Sequence, residues 1–173
     1  MYRPLADSGI VRRIVGAAGA APSIHNTQPW RFQVAGADLL EVRGDPERML
    51  WVADAHGRAL HLSCGAALLN IRLAVRATGG KPLVWPLPDP QGEPTLMASV
   101  QLTAGRPATL GERELFESIW QRHTSRAPFS GQRCPRCGMG RLGAGGEGRV
   151  RLAPPARCDR HRARTAARRG CRP

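Results

Sequence analysis

Apolar side chains at Val11, Ile14, Val15 and Ala18 recur at the i, i+3, i+4, i+7 spacing of a buried stripe. They predict a first helix whose opening turn Asp7 or Ser8 can cap. Ala21-Pro22-Ser23 breaks that pattern, and a loop follows from Ile24 to Pro29. Phe32-Gln33-Val34 and Leu39–Val42 flank Ala35-Gly36-Ala37-Asp38 and predict a hairpin with a glycine-containing turn. Asp45-Pro46 opens a short turn or helical segment ending near Trp51. The strongest helix runs from about Arg58 to Ala77, stopped by Gly79-Gly80 with Pro82 behind. It carries Leu60, Leu62, Cys64, Leu68, Leu69, Ile71, Leu73 and Val75 on nearly every face. Such a helix should be buried on more than one side, at the centre of a domain or at an interface. Val84–Leu87 and Leu96–Leu102 predict two further strands, and Glu112–Gln121 a helix with Leu115, Phe116 and Ile119 on one face. The order predicts an α+β fold with a small, largely antiparallel sheet around a long buried helix.

The pattern changes character from about residue 131. Among residues 126–173 the large apolar side chains are only Phe129, Met139, Leu142, Val150 and Leu152. That is too few to offset an ordering entropy of about 1–2 kcal/mol per residue, so a disordered tail is expected there. Charge divides at the same place. Residues 1–125 carry 13 basic and 11 acidic side chains, whereas residues 126–173 carry 13 basic and 2 acidic. Two segments are therefore expected: a domain over 1–130 and an Arg/Gly/Cys-rich tail over 131–173. Of the 26 basic residues only Lys81 is a lysine. A surface selected for nucleic acid or membrane usually mixes both cations, so arginine dominance with Gly, Pro and Ala points to GC-rich coding DNA.

No apolar run reaches the roughly 18–20 residues of a membrane span. Arg12-Arg13 before Ile14–Ala21 imitates a leader, but the stretch is short, holds Gly16 and Gly19, and reads better as the first helix. A cytoplasmic protein with free or ligating thiols is expected.

The segment Ala21-Pro22-Ser23-Ile24-His25-Asn26-Thr27-Gln28-Pro29-Trp30-Arg31-Phe32 is the most informative. Ser23, Asn26 and Gln28 supply short groups that donate and accept along the edge of a heteroaromatic ring. Pro22 and Pro29 stiffen the backbone, and Trp30 is an anchor. The plainer reading is a turn whose amides satisfy local backbone, with Trp30 in the core.

These letters resemble the loop of nitroreductase-like flavoproteins, which begins Pro-Ser and ends Asn-x-Gln-Pro-Trp. The chain is more closely similar to the Acg family of actinobacterial, stress-associated FMN proteins described as NAD(P)H nitroreductases. Asp54-Ala55-His56-Gly57-Arg58, Ser63–Asn70 and Arg122-His123-Thr124-Ser125-Arg126-Ala127-Pro128-Phe129 match in the right order. The resemblance covers residues 1 to about 130. It implies an FMN-binding, nitroreductase-like half-domain, with NAD(P)H as a co-substrate. It further implies that Ser23, Asn26, Gln28, Pro29, Trp30, Arg31 and Phe32 line the isoalloxazine ring. Arg122, His123, Thr124 and Arg126 would open a second half-domain and grip the FMN phosphate, for which the planar arginine fork is suited. Read without the family, Arg122 and Arg126 are a solvated pair at a helix end. No catalytic side chain is expected, because the flavin carries the hydride and the protein positions it. Cys64 reads as a small buried hydrophobe and His25 as a loop hydrogen-bonder.

After Phe129 the resemblance stops, and three readings of the remainder stay open. A frameshift or truncation in GC-rich DNA is favoured, since wrong-frame translation yields Arg, Gly, Pro, Ala and Cys. Cys134 and Cys137, with Cys158 and His161, have the pair spacing of a zinc ribbon. The clustered arginines could also form a nucleic-acid-binding arm; no aromatic lies beyond Phe129, so only non-specific binding is expected. Self-association is expected if the long helix lacks a complete cover.

Overall fold

Asp7 begins the first helix by accepting the Gly9 N–H at 2.7 Å, and the helix α1 (Ser8–Gly19) turns Ile14, Ala17 and Ala18 inward. The computed structural model describes residues 4–128. The chain divides into two units, Met1–Ser125 and Arg126–Pro173, and every element below lies in the first. The Cys134/Cys137 and Cys158/His161 pairs and the whole of 131–173 lie outside the described residues.

Strands β1 (Trp30–Val34) and β2 (Leu39–Gly44) form the expected hairpin, with Trp30 opposite Gly44 and Val34 opposite Leu40. β3 (Gly80–Pro86) and β4 (Leu96–Ala104) complete an antiparallel sheet in the order β1-β2-β4-β3. Alternation sets its inner face: Leu40 and Val42 of β2 and Leu96, Ala98, Val100 and Leu102 of β4 are buried. β3 starts earlier than Val84 because Gly80–Leu83 pair with β4 although Pro82 interrupts the apolar pattern. Both prolines of β3 lie on an edge strand, where a missing donor costs no ladder bond.

Helix α2 (Arg58–Ala77) is the centre of the unit and touches α1, all four strands and α3 (Leu110–Gln121). Its buried residues are Leu60, Ser63, Cys64, Ala67, Asn70, Ile71, Ala74 and Val75. Asn70 Nδ2 donates to the Ala17 carbonyl at 2.8 Å and ties α2 to α1. Asp54 serves the helix start from outside it. Its carboxylate accepts the Ala59 and Leu60 N–H groups at 2.9 Å each, while Gly57, the residue before the helix, takes φ +66°. These hydrogen bonds hold the Asp54 carboxyl below the usual range.

The all-round burial expected of α2 is only partly realised. Leu62 is 63% and Leu69 49% exposed, and with half-buried Ala66 and Leu73 they form an uncovered apolar stripe. α3 differs from expectation at one position as well. Phe116 and Ile119 are buried, but Leu115 is 49% exposed.

Candidate functional site

The loop between α1 and β1 is a short 3-10 turn, Ile24–Asn26, held in an uncommon backbone state. His25, Asn26 and Gln28 have φ of 47°, 57° and 48°. Left-handed geometry costs a residue with a Cβ about 1–2 kcal/mol, less for asparagine, so three such residues in four positions need firm support. Ser23 supplies part of it, its Oγ accepting the Gln28 N–H at 2.9 Å. Arg48 supplies more by donating to the Thr27 and Gln28 carbonyls at 3.4 and 3.3 Å. Backbone bonds from Asn26 N–H to Ser23 O and from Thr27 N–H to Ile24 O close the turn. Thr27 Oγ1 is buried with no hydrogen-bond partner among the described residues.

The side chains named from sequence take different places. Pro29 and Trp30 are buried, and Phe32 packs half-buried beside Trp30 with ring centroids 6.5 Å apart. These three support the loop from behind, with the Pro29 carbonyl accepting from Asp45 N–H at 3.1 Å and from Cys64 Sγ at 3.5 Å. Asn26 is exposed and Gln28 half-buried, their amides in weak contact through Gln28 Nε2 and Asn26 Oδ1 at 3.4 Å. His25 is exposed, and its ring forms no hydrogen bond among the described residues.

Arg31 is already committed. Its Nε and Nη2 donate to the two Asp45 carboxylate oxygens at 2.9 and 3.1 Å, and Nη2 reaches Glu47 Oε2 at 3.0 Å. The Arg31 hydrogen bond holds the Asp45 carboxyl below its ordinary range, and Asp45 raises the guanidinium in turn. Asp45 also caps the turn Pro46–Arg48, which carries Arg48 to the loop.

Arg122 follows α3 directly and donates through Nη2 to the Ala20 carbonyl at 3.4 Å, at the α1 end where the loop begins. His123 and Thr124 are exposed, the His123 Nδ1 lying 3.2 Å from the Gln121 carbonyl. Arg126, also exposed, begins the second unit. The fold therefore gathers Ser23, Asn26, Gln28 and Arg122 about the loop, turns Pro29, Trp30 and Phe32 inward, and pairs Arg31 elsewhere. Pro22, Ser23 and Ile24 face Leu62, Ser63 and Ala66 of α2 across an open cavity of about 290 Å³. Sequence reasoning missed Arg48 and Asp45. A lone Asp-Pro-x-Arg turn carries no signal of the carbonyls it will meet.

The α+β unit with its strained loop defines a class of scaffold, and sequence relatives place it further. No family model matches the chain. It is 33% identical over 126 residues to the Mycobacterium tuberculosis protein named "Putative NAD(P)H nitroreductase acg", covering 73% of this chain and 38% of that protein. It is 42% identical over 85 residues to "Putative NAD(P)H nitroreductase Rv3131" of the same organism, covering 49% of this chain and 24% of that one. The chain thus spans 38% or less of the length of these two curated relatives. A solved structure, a putative nitroreductase in complex with FMN from Desulfovibrio desulfuricans, superposes with a TM-score of 0.47 at 23% identity, covering 75% of this chain and 87% of that one. Over its N-terminal three quarters this chain is a homologue of the Acg-type, nitroreductase-related proteins. No helix among the described residues is long and apolar enough to cross a membrane.

Proposed function

We propose that residues 1–130 form one wall of an FMN site in a cytoplasmic, stress-associated NAD(P)H-dependent oxidoreductase of nitroreductase type. The observation that carries the reading is the cluster of left-handed backbone at His25, Asn26 and Gln28, in the segment that resembles the flavin loop. Strain of this kind persists where surrounding structure over-determines it, and it concentrates at ligand sites.

The residues fit an FMN ring edge in part. Asn26 and Gln28 offer amide donors and acceptors that are only weakly engaged with each other. Ser23 sets the loop, Pro29, Trp30 and Phe32 back it, and Arg31 fixes the Asp45 turn that brings Arg48 to the loop carbonyls. Arg122 places a cation at the loop's entrance, suited to a phosphate, with His123, Thr124 and Arg126 following it in sequence. When bound, FMN would supply hydride chemistry, and Asn26, Gln28 and Arg122 would bind and orient it.

In this reading a second wall closes over the open cavity beside Leu62 and Ala66. A second copy of the chain covering the α2 stripe would supply it. Each roughly 100 Å² of apolar surface so covered is worth about 2.5 kcal/mol. No sequence-specific nucleic acid or membrane partner belongs to this reading.

Flavin fluorescence quenching tests it. Weak, saturable FMN binding that Arg122→Ala reduces is the expected result. Sub-micromolar stoichiometric binding by a monomer would show one chain to be a complete site, and no quenching at millimolar FMN would remove the flavin reading.

A further inference from the structure

The N-terminal turns of α2 stand over a second, apolar cavity of about 290 Å³ that shares no lining residue with the loop Ala21–Phe32. Met49, Leu60 and Met97 wall it together with His56 and His61, and no acidic residue contributes. A neighbouring cavity of about 210 Å³ shares His61 and Met97 and continues to Leu87. Both methionines of the described residues meet here.

The backbone is fitted to this groove at two points. A Cβ on Gly44 would lie 2.6 Å from Met97 Cε and 3.0 Å from Leu60 Cδ2, so glycine lets both side chains settle against β2. Leu87 holds φ +47°, a conformation a bulky residue keeps only when its surroundings enforce it. Its N–H donates to the Met97 carbonyl at 2.9 Å.

One polar group on the wall has a defined sense. His61 Nδ1 lies 2.7 Å from the Gly57 carbonyl oxygen, which can only accept. The proton therefore sits on Nδ1, and in the neutral ring Nε2 is left as an acceptor.

We propose that this groove binds a small neutral aromatic molecule bearing one N–H or O–H donor, of the indole or phenol class. The ring lies against the Met49 and Met97 thioethers, which make favourable contacts with aromatic rings, and the donor meets His61 Nε2. The volume lies just below the roughly 300–1,000 Å³ typical of small-molecule sites, which suits one or two fused rings.

Methyl-¹³C-methionine NMR on the full chain tests this with indole and its isostere indene, which lacks the N–H. The expected result is saturable movement of the Met49 and Met97 methyl signals, and indole binding at least tenfold tighter than indene. His61→Phe should abolish that preference. The indole-to-indene ratio is read on the unaltered chain, so the test stands even where the variant does not fold. Unmoved Met49 and Met97 signals at millimolar indole, or equal affinity for both probes, overturns the proposal. Signals that move with Ag(I) but not with indole would overturn it in favour of a soft-metal site. FMN binding at the loop is independent of each of these outcomes.

Discussion

Arg76 and Glu112 form a bidentate pair, Nε to Oε1 at 2.9 Å and Nη2 to Oε2 at 3.1 Å, joining the last turn of α2 to the first turn of α3. Arg76 also donates to the carbonyls of Gly80, Arg106 and Pro107, so one guanidinium gathers the start of β3 and the approach to α3. Glu112 completes a capping box with Thr109. The Arg76 hydrogen bond pulls the Glu112 carboxyl down to about 2.

A carboxyl depressed in the folded state contributes stability above its unfolded value and loses it as pH falls toward the folded one. For Glu112 that window runs from about 4.5 to about 2. Arg76→Met should cost about 1.5–3 kcal/mol at neutral pH and flatten the loss of stability across this window. Urea titrations at several pH values measure both. The acid sensitivity that remains comes from Asp45 and Asp54, whose carboxyls are also held low.

Gln28→Gly separates the two roles of the strained loop. Glycine occupies φ +48° without a Cβ clash, so stability should stay level or rise by about 1 kcal/mol. FMN affinity should nevertheless fall at least tenfold, since the amide is lost. Thermal melts paired with flavin quenching read the two effects. Equal affinity in wild type and variant would deny the amide its part in binding.

The exposed stripe on α2 predicts self-association. Leu62→Lys with Leu69→Lys should turn a dimer into a monomer in sedimentation velocity with little change in melting temperature, because both side chains already face solvent. Ile71→Lys, two residues beyond Leu69, should instead prevent folding, since Ile71 is fully buried. A wild-type chain that stays monomeric at high micromolar concentration would show that no second copy covers the stripe.

Burial pushes the Cys64 thiol up to about 11, and its Sγ faces the Pro29 carbonyl at 3.5 Å. Iodoacetamide at pH 8 should leave Cys64 unmodified in the folded chain and label it after unfolding, as peptide mass mapping will show. Cys64→Ala should leave FMN binding unchanged. Rapid labelling of Cys64 in the native state would place it on an opening part of the helix.

Helix α2 was legible in the sequence, because its apolar run is long and Gly79 ends it where a left-handed φ of 81° is needed. The same holds for α1 and the β1–β2 hairpin, whose periods of 3.6 and 2 follow from local backbone geometry. The loop letters from Ser23 to Phe32 located the candidate site, since such a string depends on residue identity and not on packing. Tertiary structure alone decided which of those residues face outward. The strand period turns Trp30 into the core and Arg31 away from it, toward an Asp45 whose position depends on the β2 register. Arg48 reaches the loop, Arg76 joins Gly80, Arg106–Pro107 and Glu112, and Met49, Met97 and His61 share a wall only because distant stretches fold together. Contacts between residues far apart in the chain leave no local period to read, so only the folded arrangement of α2 on the sheet could set them.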